Sequence, residues 1–506
     1  VTVTEAASPR IARGPLTLSV MLATTMYTLD GTIANVALPH MQGGLSAGID
    51  QITWVLTSFI VAQAIGTPLV GWFAGRFGRK RVMLTAIAAF TLSSLACGTA
   101  ITIEQMILYR IVQGLSGAAF VPLAQAILFD INPPEKFAEA MSIFGAGVVL
   151  APILGPALGG WITESLNWRW VFLINLPVGI LAFLGVMTFL PEKTAAEKQP
   201  FDFSGFASLA LFIVSLQMIF DRGPGEEWFA SNEIRLYGLL CASGLYYFTW
   251  RTLSARRPFF ARSLFADSNF MLGCAVGLLT GVLMFSSLAL LPPMMQNLMG
   301  YPIVTTGLVT MPRGIGMVLS MVVAGRLASR IDPRYLLVSG FLINALSLWQ
   351  MSLFTLDMGP MPITVSGLVQ GFGLGLVFVP SNTLAFASIG SEQRTDASAI
   401  FTLVRSMGSA IGISGMQALF ISNSQSTYGR LIENVRPDNP NLPGGAGGGM
   451  ETLAPWISEA ARQSAMISYV NDFRVAMFLT LAVLPLVVFM RRPAAPPPRN
   501  EIHAVD

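Results

Sequence analysis

The chain has 506 residues, 53% of them hydrophobic and only 11% charged, with a formal net charge of +3. That is too little polar surface to coat a water-soluble globule of this size, and the positive excess is too small to argue for nucleic-acid binding. The partner implied directly is a lipid bilayer.

Apolar stretches of roughly 17 to 25 residues recur along the chain, each long enough to cross a ~30 Å hydrocarbon core at 1.5 Å rise per residue. After a tail over 1–14, spanning helices are expected at 15–38, 53–75, 81–100, 105–129, 137–163 and 169–190, then at 204–220 and 234–253. Six more are expected at 270–292, 303–324, 334–354, 362–388, 395–422 and 473–490, followed by a Pro-rich tail over 491–506. The fold class is therefore all-α integral membrane, with about fourteen transmembrane helices. The first helix is expected to be retained, because no small-residue cleavage site follows it.

An even number of spans puts both termini on one side, and basic residues choose the cytoplasm. Loops on that face would hold about 20 of the 30 Lys and Arg. They cluster at Arg76, Arg79, Lys80 and Arg81, at Arg251, Arg256, Arg257 and Arg262, and at Arg326, Arg330 and Arg334. Between 423 and 472 lies one long outer loop, with PDNPNLPGGAGGG at its centre and a helical pattern from about 454 to 470. It is longer than a connector requires and fits either a docking element or disorder.

Several chemistries are excluded. None of Lys80, Lys136, Lys193 and Lys198 follows a glycine, so the Gly-Lys pair of a phosphate loop is absent and ATP-driven pumping is ruled out for this chain. His40 and His503 are scattered, and Cys97, Cys241 and Cys274 fall inside apolar segments, so no metal site, disulfide or nucleophile cluster is expected. The chain is expected not to be an enzyme and to need no cofactor.

Internal repetition narrows the architecture. Gly75 and Gly325 sit in similar basic turns 250 residues apart. The triplet Val112-Gln113-Gly114 recurs as Val369-Gln370-Gly371, an offset of 257, and Leu38-Pro39 recurs as Leu291-Pro292, an offset of 253. Two six-helix halves, 15–190 and 270–490, are thus repeated in the same orientation with two helices, 204–253, inserted between them. Parallel repeats place a substrate cavity on the pseudo-two-fold axis.

Asp30 is the one carboxylate read as lying well inside a helix, where an ionisable group costs several kcal/mol unless paired or wet. Counting from the outer helix ends puts it at roughly 12 Å depth and Arg110 at roughly 8 Å. The two are expected to share a pocket. Burial favours the neutral acid and an adjacent cation favours the carboxylate, so a conformational change that alters either term loads or releases a proton. A structural ion pair locking two helices fits the same residues. Arg110, Gln113, Gly114 and Gly117 fall on one face of one helix, which suits close packing or a cavity wall. Gly155, Pro156, Gly159 and Gly160 strip side chains and one donor from the fifth helix and would let it bend. Candidates for the cavity lining are Tyr27, Asn35, Gln113, Phe120, Gln125, Phe285, Arg313, Phe378 and Arg405. With many methionines these suit lipophilic ligands, and the arginines tilt the site toward hydrophobic weak acids.

The stretches LDGTIANVALP at 29–39, RFGRKR at 76–81, RIVQGLSGAA at 110–119, APILGPALGG at 151–160 and NWRWVFLINLPVG at 167–179 resemble the signature set of the major facilitator superfamily. More narrowly, the chain resembles that superfamily's fourteen-helix drug:proton antiporters of the EmrB and QacA type, over essentially its whole length. The resemblance implies a major facilitator fold and proton-driven multidrug efflux at an inner membrane, with a periplasmic adaptor and an outer-membrane channel as partners. It also implies that Gly71, Arg76, Gly78 and Arg79 brace the outward-open state against the other half. In the same way the Gly155-Pro156 motif would mark antiport and lie between the halves, and Arg405 occupies a recurrent position. Gly75 stands where the pattern has an acid, and Ala151 where it has glycine. A proton-coupled transporter of one metabolite or fatty acid is the nearest alternative, and a channel or receptor the alternative from another class.

Overall fold

The computed structural model describes residues 13–192, 201–328, 330–436 and 450–490. They are helical, with no strand among them. The first half comprises α1 Arg13–Gly44, α2 Trp54–Phe77, α3 Arg79–Thr99, α4 Ile103–Ile131, α5 Phe137–Ser165 and α6 Trp170–Phe189. Next come α7 Phe203–Arg222 and α8 Asn232–Ser254. The second half comprises α9 Ser268–Leu298, α10 Ile303–Leu327, α11 Pro333–Met351, α12 Pro360–Phe386, α13 Arg394–Ile432 and α14 Met450–Phe489. Ten of the fourteen are long and apolar enough to cross a membrane, and the others, α1, α5, α8 and α11, run for 32, 29, 23 and 19 residues.

Local chemistry sets the helix ends. Side-chain oxygens of Thr102, Asp202, Asp267 and Asp332 accept from backbone N–H groups that would otherwise be orphaned at the starts of α4, α7, α9 and α11. Gly78, at φ 86°, takes the left-handed turn that separates α2 from α3. The tail of α9 loosens into a π turn, Met294–Leu298, just after Pro292 and Pro293 remove two donors.

Helices in lipid gain little from burying apolar surface, so close contact of small residues holds them together. A Cβ on Gly114 would meet the Phe59 carbonyl of α2, and one on Gly371 the Arg313 carbonyl of α10. Gly408 and Gly412 of α13 lie as tightly over Leu278 and Val282 of α9. The same packing is thus repeated in both halves: α2 with α4 and α10 with α12. The halves meet along α5 with α10 and along α2 with α13. The inserted α7 lies on both α2 and α13, through Thr57 Oγ1 donating to Asp221 Oδ2 at 2.9 Å and Ser414 Oγ donating to the Phe220 carbonyl at 2.7 Å. The other inserted helix, α8, packs on α7.

The structure differs from the sequence expectation in three places. Much of the expected outer loop is helix, since α13 continues to Ile432 and α14 begins at Met450. The glycine-rich stretch 437–449 and both tails lie outside the described residues, as does the Pro156 side chain. Asp472, in α14, is 0% exposed, so the second half does bury an acid within a helix. Gly155 and Gly159 pack against Thr32 and Ile33 of α1, inside the first half. The part of α5 that touches the other half is nearer its start, at Ser142 against Gly325 and Gly145 against Phe378 and Met321.

Candidate functional site

Asp30 lies midway along α1 and is 0% exposed. Its Oδ2 pairs with Arg110 Nη1 of α4 at 2.5 Å, and its Oδ1 accepts from Gln113 Nε2 at 3.0 Å and Asn175 Nδ2 at 2.7 Å. Arg110, also 0% exposed, donates from Nε to the Val55 carbonyl at 3.0 Å and from Nη1 to Gln113 Oε1 at 2.8 Å. Its guanidinium carbon stands 4.1 Å from the Phe59 ring centroid. Asn175 also donates to Ser94 Oγ. Helices α1, α2, α3, α4 and α6 therefore converge on one carboxylate.

The two residues expected to share a pocket form a fully buried, directly bonded ion pair. Removing one member of such a pair leaves an uncompensated buried charge, at a cost of about 3 to 5 kcal/mol. Asn175 was not singled out from the sequence, although it stands in the NWRWVFLINLPVG stretch. One amide just inside an apolar segment looks like a helix-start residue until the fold turns it toward Asp30.

A second polar cluster joins the halves at the end of the bundle that carries the Gly78 turn. Arg79 Nη1 pairs with Asp130 Oδ2, its Nε donates to Thr395 Oγ1 at 2.9 Å, and its Nη2 donates to the Ser391 carbonyl at 2.8 Å. Arg394 Nη1 reaches the other Asp130 oxygen at 3.1 Å. Two guanidinium groups from different halves thus share one carboxylate. Gly71 lies so close to Asp396 that a Cβ there would overlap its Oδ1. Arg76 instead covers Trp72 of its own helix, 5.3 Å from the ring centroid.

Nearer the axis, Gln125 of α4 links both halves: Ser398 Oγ donates to its Oε1, and its Nε2 donates to Asn382 Oδ1 at 3.2 Å. The other cavity candidates separate. Gln113 belongs to the Asp30 cage. Phe120 is fully buried in the first half's core, edge-on to Tyr27 and tilted against Phe90, and Asn35 is exposed on α1. Arg405 lies 5.3 Å from the Phe378 ring centroid, with its Nη1 buried and unpaired. Phe285 is half-buried on α9. Arg313 is 7% exposed, with Nη2 on the Met284 carbonyl at 2.8 Å. Gly160 has open space where its side chain would be. Among the described residues no group of His, Cys, Asp and Glu is arranged to hold a metal ion.

Comparison with known proteins supplies the context. The Major Facilitator Superfamily pattern matches residues 20–413. The multidrug export protein EmrB of Escherichia coli K12 is 32% identical over 487 residues, 94% of this chain and 95% of its own. The fatty acid resistance protein FarB of Neisseria gonorrhoeae is also 32% identical over 487 residues, 94% of this chain and 96% of its own. In fold, the human organic anion transporter TETRAN superposes with a TM-score of 0.59 over 93% of this chain and 99% of its own, at 17% identity.

Proposed function

The chain belongs to the major facilitator superfamily, and from that premise we propose that it is a proton-coupled antiporter exporting hydrophobic and amphipathic small molecules across an inner membrane. The observation that carries the reading is Asp30, a fully buried carboxylate held by one guanidinium and two amides, with no buried histidine among the described residues to relay protons. Protonation converts charge-assisted bonds into ordinary ones and leaves Arg110 without its counter-charge, which loosens the junction of α1, α4 and α6. Reprotonation and release on opposite faces then couple the gradient to the rocking of the halves. With the Gly78 end in the cytoplasm, the Arg79–Asp130–Arg394 cluster closes the inner face of this conformer. Lipophilic cargo fits the names of the relatives, one a multidrug exporter and one a fatty acid resistance protein.

The test is counterflow in proteoliposomes under an imposed pH gradient. Substrate movement that reverses when the gradient is reversed supports antiport, and movement indifferent to the gradient overturns it. At the same site, Arg110→Lys is expected to keep a measurable fraction of coupled transport, because a cation still faces Asp30. Arg110→Ala should lose it and shift the pH profile. Identical profiles for both variants would show that charge at this position does not tune the proton.

The proposal extends to a tripartite assembly in which a periplasmic adaptor docks on the helical extensions of α13 and α14 and the segment between them. A lipophilic molecule released beside the membrane would re-enter it, so efflux to the medium needs a duct. Deleting about residues 436–450 is expected to spare transport in isolated vesicles and to remove whole-cell resistance. Resistance that survives the deletion refutes docking there.

A further inference from the structure

The Asp30 cage has a counterpart in the second half that lacks its acid. The offset of 257 carries Gln113 to Gln370 and Gly114 to Gly371, while the offset of 253 between α1 and α9 carries Asp30 to Leu283, one turn before Ser287. The hydrogen bonds follow. Gln113 Nε2 donates to Asp30 Oδ1, and Gln370 Nε2 donates to Ser287 Oγ at 2.8 Å, each across 83 residues of chain. Gln370 is 0% exposed and Ser287 1%. Each half therefore has a buried glutamine of its fourth helix donating to its first helix, onto a carboxylate in one and, one turn further along, onto a hydroxyl in the other.

The guanidinium is preserved as well, although it comes from another helix. The counterpart of Arg110 is Gly367, with no side chain to offer. Arg313 of α10 packs over Gly367 and Gly371 and anchors Nη2 on the carbonyl of Met284, one turn before Ser287 on α9. In the first half, Arg110 Nη1 donates both to Asp30 and to Gln113 Oε1. In the second half, Arg313 Nη1 and Gln370 Oε1 are both buried and neither has a partner. Among the described residues no carboxylate pairs with Arg313. A nearly buried cation without a counter-ion is costly, and so is each unsatisfied polar atom. In the first half the guanidinium donates to the glutamine Oε1 while a carboxylate accepts from that same guanidinium nitrogen, and among the described residues the second half lacks that carboxylate.

We propose that Arg313, Gln370 and Ser287 form an anion subsite in which the carboxylate of a lipophilic substrate takes the place that Asp30 fills in the first half. Arg313 Nη1 would donate to the ligand and to Gln370 Oε1, completing the arrangement of the other half with an exogenous acid. This deepens the export reading and rests on it for the ligand's lipophilic body. It makes the second half the substrate's share of the repeat, as the first half is the proton's.

Binding to the purified full-length protein in detergent tests the subsite without relying on gradient-driven export. The probes share one naphthyl body and carry a carboxylate, a primary amide or a trimethylammonium group. The wild type should bind the carboxylate at least tenfold more tightly than the trimethylammonium compound. Ser287→Asp supplies the missing acid from the chain and should weaken the carboxylate at least tenfold while changing the amide by less than threefold. Arg313→Gln should do the same, and Arg313→Lys should restore part of the preference. Equal losses for all three probes, or carboxylate binding indifferent to Ser287→Asp and Arg313→Gln, would overturn the subsite. Failure of pH-driven counterflow by a wild type that binds the carboxylate selectively would instead overturn the export reading alone.

Discussion

Asp30→Asn is expected to reduce gradient-driven efflux to the background of protein-free vesicles. The asparagine still presents one oxygen to Gln113 or Asn175, so the cage keeps much of its shape. What disappears is the titratable proton and the countercharge of Arg110, which is fully buried and has no other carboxylate paired with it among the described residues. Loss of that charge costs about 3 to 5 kcal/mol, enough to lower thermal stability measurably. Membrane insertion and ligand binding must therefore be measured beside transport. A variant that inserts and binds substrate but moves none against a gradient fits the proton role. Active transport at the wild-type level would remove Asp30 from the coupling mechanism, and weakened binding alone would make it a ligand residue.

Asp130→Asn is expected to open the end of the bundle that carries the Gly78 turn. The acid holds Arg79 of the first half and Arg394 of the second, and all three are largely shielded from solvent, with side-chain exposures of 9%, 19% and 17%. Neutralising it leaves two guanidinium groups facing each other across the junction, a change of about 3 kcal/mol or more against this conformer. By population arithmetic that moves the ratio of the two conformers roughly a hundredfold. Spin labels on the start of α5 and the end of α10 should report a longer mean distance, and transport should fall at least tenfold. A distance distribution unchanged from the wild type would show that the cluster does not hold this end shut. Gly71→Leu should act in the same direction by pushing Asp396 and α13 away.

Hydropathy made the apolar helices legible because a bilayer demands a long, uncharged run whatever else the helix does. The repeat was legible too: Gln113 and Gln370 stand in the same triplet, and each donates from Nε2 to the first helix of its half. Asp30 stood out because a charge in such a run needs a reason. Residues at the edges of the runs were the ones misjudged. Asp472 sits next to the apolar stretch beginning at 473 and was read as outside it, because the polar residues before it hid the continuing helix. Asp130 and Arg394 lie one residue outside the expected spans 105–129 and 395–422, where a charge is ordinary. Only folding brings residues 264 positions apart together, so their bond leaves no local pattern. Phe120 was assigned to the axis by residue type, and the ring turned into the core instead, where Tyr27 and Phe90 surround it.

The hold of α7 on both halves makes the transporter's two flanks unequal. Through Asp221 and Phe220 this helix lies over the seam between α2 and α13, and α8 backs it. Among the described residues neither inserted helix packs substantially on α5 or α10. One flank thus carries two extra helices over its seam, and on the other α5 and α10 pack directly on each other, Ser142 against Gly325. The inserted helices thereby make the two flanks of a pseudo-symmetric bundle differ in thickness.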